Sequence, residues 1–207
     1  MKVLEASIQK YLELKNLVGN TKILLATKGV DEKFIMEFIQ KSGHLYFAEN
    51  YASELKKWVS IIQAFPQVEV SFIGSFQSGN LRNIVKTCKT VESVSSLKQL
   101  EKLKKESLKQ QKDIKFYAQI NIGKEEQKSG FLESEITPEF SQLFSGLMCI
   151  PPAKLNPEYY FKKMQSIGAE LGIKTLSMGM SADFKKAIEF GATEIRIGNL
   201  IFGERKK

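Results

Sequence analysis

The chain has 207 residues, enough for one sizeable hydrophobic core or two small ones, and a single domain spanning 1–207 is the starting expectation. Hydrophobic residues at 43% and charged residues at 26% exclude wholesale disorder and a coiled-coil rod. Lys and Arg outnumber Asp and Glu by 31 to 23, a net charge of +8 that raises the question of an anionic partner: nucleic acid, a membrane surface or a phosphate. The single histidine, His44, removes any metal or catalytic scheme built on two imidazoles. Cys88 and Cys149 are too far apart in sequence for a CxxC pair and fit a reducing compartment. No apolar run approaches the roughly 18 residues a membrane span needs, and the N-terminal stretch alternates charged with apolar residues where a signal peptide would have an apolar block. The expected location is the cytoplasm, with no membrane association.

The opening residues place Val3, Leu4, Ile8, Tyr11 and Leu12 on one helical face, which predicts an amphipathic first helix. Eight short, β-rich apolar runs follow, at 22–27, 44–48, 69–73, 90–93, 115–122, 145–150, 174–177 and 193–197. Between them lie stretches with helical spacing, such as Phe34, Ile35, Phe38 and Ile39, then Leu55, Trp58, Val59 and Ile62, then Leu97, Leu100, Leu103 and Leu108. A strand–helix alternation of this kind predicts parallel strands, because every crossover passes through a helix. Eight units match a compact (β/α)8 barrel of the TIM type, with an open doubly wound sheet as the alternative. Trp58, Met36 and Met164 read as packing against the sheet, and the two cysteines as small buried hydrophobes. His44, at the start of the second run, falls at the stability end of a barrel and reads as structural. Much of the positive charge sits in the segment 98–115, where leucines hold one helical face and lysines the other. That is the pattern of a solvated face, and no interleaved aromatics or reader motif support nucleic-acid binding.

A (β/α)8 barrel carries its chemistry at the C-terminal ends of its strands. The first run ends in Ala26, Thr27, Lys28 and Gly29, which puts a lysine at the barrel mouth; the second delivers Glu49 and Asn50. The seventh runs into Ser177, Met178, Gly179, Met180 and Ser181, and the eighth into Arg196, Ile197, Gly198 and Asn199. Loops after strands seven and eight frequently bind phosphate in such barrels, and glycines with hydroxyls suit that task. An amine with a cation nearby, a phosphate cradle and a cation for a ring together suggest pyridoxal 5′-phosphate (PLP), whose aldehyde forms a Schiff base with lysine.

These residues resemble the pyridoxal phosphate homeostasis proteins, single-domain relatives of the alanine racemase N-terminal barrel. The resemblance runs through LLATK at 24–28, FAEN at 47–50, FIGSFQS at 72–78, QINIGKEEQKSGF at 119–131, GLMCIPP at 146–152, LSMGMS at 176–181 and RIGNLIFGER at 196–205. It implies that Lys28 carries the cofactor, that Asn50 lies beside the ring and that Arg196 faces the pyridine nitrogen. It further implies that Ser177 or Ser181, with the backbone around Met178, Gly179, Gly198 and Asn199, holds the phosphate. The chain departs from the family pattern at Ser71, Gly79, Asn80 and Asn199. An arginine against the pyridine nitrogen weakens the ring as an electron sink. Racemases of the related fold also need a second base, supplied with help from a C-terminal β domain, for which a chain ending at Lys207 has no room. The expectation is therefore a monomeric carrier that buffers PLP and passes it in transient contacts to PLP-dependent apoenzymes. The alternative is a low-activity PLP-dependent racemase.

Overall fold

A computed structural model of the protein describes residues 2–27 and 29–203. Its eight strands are β1 (Lys22–Ala26), β2 (Tyr46–Glu49), β3 (Glu69–Phe72), β4 (Thr90–Val94), β5 (Lys115–Ile120), β6 (Gly146–Cys149), β7 (Leu176–Met180) and β8 (Glu194–Ile197). All pair in parallel and in chain order, and β8 returns to β1 through the register Lys22↔Glu194 to Leu25↔Ile197, closing the barrel. This closure settles the choice between a barrel and an open sheet. Nine helices among the described residues accompany the strands: α1 (Lys2–Val18), α2 (Glu32–Ser42), α3 (Lys57–Ala64), α4 (Leu81–Thr87), α5 (Leu97–Lys109), α6 (Phe140–Leu143), α7 (Pro157–Leu171), α8 (Phe184–Glu189) and α9 (Asn199–Phe202).

The helix ends follow from local chemistry. Asp31 accepts from the amides of Lys33 and Phe34 to start α2, Ser96 accepts from the Gln99 amide to start α5, and Asn156 accepts from the Glu158 amide with Pro157 in the first turn of α7. Gly43 and Gly172 end α2 and α7 in the left-handed conformation that a side chain would oppose. Three helical stripes differ from the sequence expectation; in α3 the buried residues are Trp58 and Ile61, and Val59 is exposed. In α1 the buried row is Leu4, Ser7, Tyr11, Leu14 and Val18, whereas Val3 and Leu12 are exposed. In α5 the buried residues are Leu100, Leu103 and Ser107, and Leu108 stands 79% exposed. Each helix touches the barrel along a narrow line, so a row spaced by three and four residues fits and neighbouring apolar residues do not.

The interior has two compartments. Between barrel and helices lies an apolar layer that includes Phe38, Phe47, Trp58, Phe72, Leu103 and Phe161, all fully buried. The barrel lumen is polar. Tyr117 on β5 donates to Glu194 on β8 (3.0 Å), and Ser177 on β7 donates to Glu92 on β4 (2.6 Å). Lys22 on β1 pairs with Glu194 (3.5 Å) and, past β2, with Glu69 on β3 (3.9 Å). Except for Lys22–Glu194, these contacts join strands that are not neighbours, so they cross the lumen. Gly146 leaves room for this arrangement, because a Cβ there would come within 2.8 Å of the Tyr117 ring. No described helix is long and apolar enough to cross a membrane.

Burial separates two leucines that the sequence placed on one face. Leu103→Ala should lower the unfolding free energy by about 2–5 kcal/mol, and Leu108→Ala by less than about 0.5 kcal/mol, in chemical denaturation.

Candidate functional site

At the C-terminal ends of the strands the structure forms a cleft of about 310 Å³. Ala26, Ile73, Ile150 and Met180 supply apolar walls, and Asn50, Ser181, Arg196, Gly198 and Asn199 supply polar groups. A somewhat larger cavity, about 360 Å³, lies at the opposite end of the barrel beside α1 and His44. Its buried polar groups, and Lys22 at its edge, are paired. His44 Nε2 donates to the Tyr46 carbonyl (2.6 Å), so the neutral ring accepts from the Tyr11 hydroxyl at Nδ1 (3.0 Å), and Lys22 is held by Glu69 and Glu194. Burial, with the charges of Lys15 and Lys22 helping and the Tyr46 carbonyl opposing, lowers His44 to about 4. His44 is the structural residue its position suggested. The smaller cleft is where a parallel barrel places its chemistry.

Arg196 dominates the floor of that cleft. It is buried, with Nη1 donating to both the carbonyl and the hydroxyl of Ser177 (2.7 Å each) and Nη2 to the Cys149 carbonyl (2.8 Å). Three bonds to β6 and β7 fix its plane and leave donors over, since a guanidinium carries five N–H groups. Asn50 follows β2 directly, and Gly74 presses against its backbone: a Cβ at position 74 would sit 1.7 Å from the Asn50 carbonyl oxygen. Only a glycine allows that approach.

Ser177, Met178 and Gly179 are not in the cleft. The strand expected at 174–177 is β7, spanning Leu176–Met180, and it carries a register shift between Ser177 and Met180. Ser177 is fully buried in the lumen with its hydroxyl engaged by Glu92 and Arg196. Met178 belongs to the apolar layer outside the barrel. Gly179, at φ +92°, packs on α8, where a Cβ would lie 2.5 Å from that of Ala187. The irregularity delivers Met180 and Ser181 to the cleft, in a turn closed by Asp183 Oδ1 accepting from the Met180 amide (2.6 Å). Met180, Ala26, Ile73 and Ile150 were not singled out from sequence as lining residues; their position at strand ends is the signal that could have found them. Gly198 opens the turn into α9, and α9 is tied to α1 by the Ser7 hydroxyl donating to the Ile201 carbonyl (2.9 Å).

Lys28 lies outside the described residues. Its surroundings in the chain are built with care. Lys57, at the start of α3, places its ammonium 3.2 Å from the carbonyls of both Thr27 and Val30, 2.9 Å from Glu54 and 3.3 Å from Glu49. The Thr27 hydroxyl donates to the same Glu49 oxygen (2.8 Å). Burial raises the Glu49 carboxyl while Lys57 and Thr27 pull it down. Thr27 is thus tied to Glu49 of β2 and Lys57 of α3, and Val30 to Lys57.

Glu92, which the sequence reading passed over, is fully buried and pushed up to about 7. Desolvation is the main cause and the Glu194 charge adds to it, against Arg196 and the Ser177 and Ser71 hydroxyls. In the unfolded chain the group ionises near 4.5, so between that pH and about 7 the folded protein keeps a proton the unfolded chain has released. Rising pH in that window therefore costs stability. Glu92→Gln should gain stability relative to the parent protein across the window, on the order of 2 kcal/mol by neutral pH in urea unfolding. Because His44 contributes equally to both proteins, the difference between them removes its contribution and reads Glu92 together with the groups it faces, Glu194 and Tyr117.

The chain matches the family model for the alanine racemase N-terminal domain over residues 4–206. It is 34% identical to the pyridoxal phosphate homeostasis protein of Aquifex aeolicus, across 96% of this chain and 94% of that one. It is 33% identical to the human pyridoxal phosphate homeostasis protein, across 79% of this chain and 69% of that one. The fold superposes on PipY from Synechococcus elongatus, solved with PLP bound, with a TM-score of 0.86 and 25% identity over 95% of this chain and 100% of PipY. The chain therefore belongs to the alanine racemase N-terminal domain family and, within it, to the pyridoxal phosphate homeostasis proteins.

Proposed function

We propose that this protein binds PLP in the cleft at the strand C-termini and serves intracellular PLP homeostasis as a carrier. The observation that carries this reading is the convergence on one cleft of an anchored guanidinium, Arg196, with the turns after β7 and β8. Its volume is at the lower end of the ~300–1,000 Å³ usual for small-molecule sites, and its apolar walls suit a flat ring. When bound, PLP supplies an aldehyde that condenses reversibly with a primary amine. Lys28, next after Thr27 at the end of β1, would provide that amine. The Ser181 hydroxyl and the backbone amides at Gly198 and Asn199 would bind the phosphate, and Asn50 would flank the ring. Met178 and Gly179 would act by shaping the β7 turn, and Ser177 by orienting Arg196.

Two features favour a carrier over a low-activity racemase. Arg196 offers only donors, so it bonds a pyridine nitrogen that lacks a proton and leaves the ring a weak electron sink. Racemisation also needs a base on each face of the reacting carbon. None of the described residues lining the cleft is an Asp, Glu, His, Cys, Tyr or Lys. A cytoplasmic location, a monomeric state and transient contact with PLP-dependent apoenzymes complete the reading. Both cysteines are free and buried, as a reducing compartment allows, with burial pushing Cys149 up to about 12.

Borohydride treatment of the PLP-loaded protein followed by peptide mass spectrometry should find the cofactor fixed on Lys28, and Lys28→Ala should lose that adduct. Fixation on another lysine would refute the assignment. Incubation with common L-amino acids in D2O should give no sustained exchange at Cα; steady turnover would favour the racemase.

A further inference from the structure

The polar lumen holds a group that the carrier function does not use directly. Glu92 sits on β4 and is not among the described residues lining the cleft. Its Oε2 accepts from the Ser177 hydroxyl (2.6 Å), and the same hydroxyl oxygen accepts from Arg196 Nη1 (2.7 Å). The three groups form a one-way chain in which Arg196 donates to Ser177 and Ser177 donates to Glu92. We propose that Glu92 is a positioning residue for Arg196, acting through Ser177, so that the grip of the cleft floor on the ring end of its ligand depends on whether Glu92 is ionised.

The chain of donors needs an acceptor at its end, and a carboxylate is a better one than a carboxylic acid. A protonated Glu92 must place its own O–H, and if it donates to Ser177 Oγ the Ser177 proton loses its acceptor and the hydroxyl must turn, which disturbs the oxygen Arg196 bonds. Every charged group around Glu92 bears on the balance: Glu194 from β8 opposes ionisation, Arg196 from β8 favours it, and Tyr117 from β5 is in turn raised by Glu92. The Ser71 hydroxyl from β3 and the Ser177 hydroxyl from β7 favour the ionised form. Oε1 of Glu92 and Oε2 of Glu194 are buried without a hydrogen-bond partner among the described residues. Burial and the Glu194 charge raise the Glu92 carboxyl well above the ordinary carboxylate range, toward neutral pH.

This inference rests on the PLP reading for its ligand but not for its geometry, and the experiment separates the two. In the ligand-free protein, the 13C signal of the Glu92 carboxyl and the 15N signals of the Arg196 side chain are followed from pH 5 to 9. Both should inflect at one pH. In Glu92→Gln the Arg196 inflection should vanish, and in Ser177→Ala Glu92 should still titrate without Arg196 following. An Arg196 signal that ignores the Glu92 transition overturns the proposal. In the second arm the probe is 4′-deoxypyridoxine 5′-phosphate, which lacks the aldehyde and so removes Lys28 chemistry. Its dissociation constant should change about fivefold or more across the transition and stay flat in Glu92→Gln, and reciprocally the probe should shift the Glu92 midpoint. Superimposable binding curves for the two proteins overturn the role in ligand grip. Absence of binding in both overturns the PLP reading and with it that role, while the first arm still decides the coupling of Glu92 to Arg196.

Discussion

A guanidinium buried at the mouth of a closed barrel is the constraint from which the rest of the site follows. A buried charge is costly unless its hydrogen bonds are met, and removing its partners would be strongly destabilising. Arg196 meets that demand with the carbonyls of Ser177 and Cys149 and the hydroxyl of Ser177. Those acceptors lie on β7 and β6, while Arg196 itself is on β8, so the three strands must hold their register for the bonds to form. The irregularity in β7 belongs to the same arrangement. It leaves Ser177 in the lumen under Arg196 and brings Met180 and Ser181 round to the cleft, with Gly179 absorbing the turn.

The alternation of β-rich and helical runs made the barrel legible in the sequence, because parallel strands buried on both faces read as short apolar blocks. The strand ends were legible too: Asn50, Ser181, Arg196, Gly198 and Asn199 were all expected near one mouth, and all line one cleft. Ser177 was misplaced for a physical reason. LSMGM looks like a strand running into a glycine loop, but the fold carries the strand on through Met180, which turns the first serine inward and leaves the second at the mouth. Glu92 was invisible for a similar reason. In TVESV a glutamate sits among Thr90 and Ser93 with valines, polar residues that read as solvated, and only closure of the barrel turns its position into a lumen.

A polar lumen also bears on what the protein does with a ligand. Two sets of polar contacts lie along the lumen: Lys22 with Glu69 and Glu194, and Tyr117 with Glu194, toward the stability end; Arg196, Ser177 and Glu92 toward the cleft floor. Glu92 Oε1 and Glu194 Oε2 stay without a hydrogen-bond partner among the described residues, so these polar groups are only partly satisfied. The cleft itself contrasts with that lumen. Its described lining offers the polar groups of Asn50, Ser181, Arg196 and Asn199 beside apolar surface from Ala26, Ile73, Ile150 and Met180.

The central claim is that one cleft binds both ends of PLP, with the phosphate at the turns after β7 and β8 and the ring at Arg196. A crystal structure of the protein with PLP tests it most directly. The account predicts phosphate oxygens within hydrogen-bond distance of Ser181 and the Gly198–Asn199 backbone, and the pyridine nitrogen against Arg196. Phosphate bound elsewhere, or a ring that leaves Arg196 without contact, would contradict it.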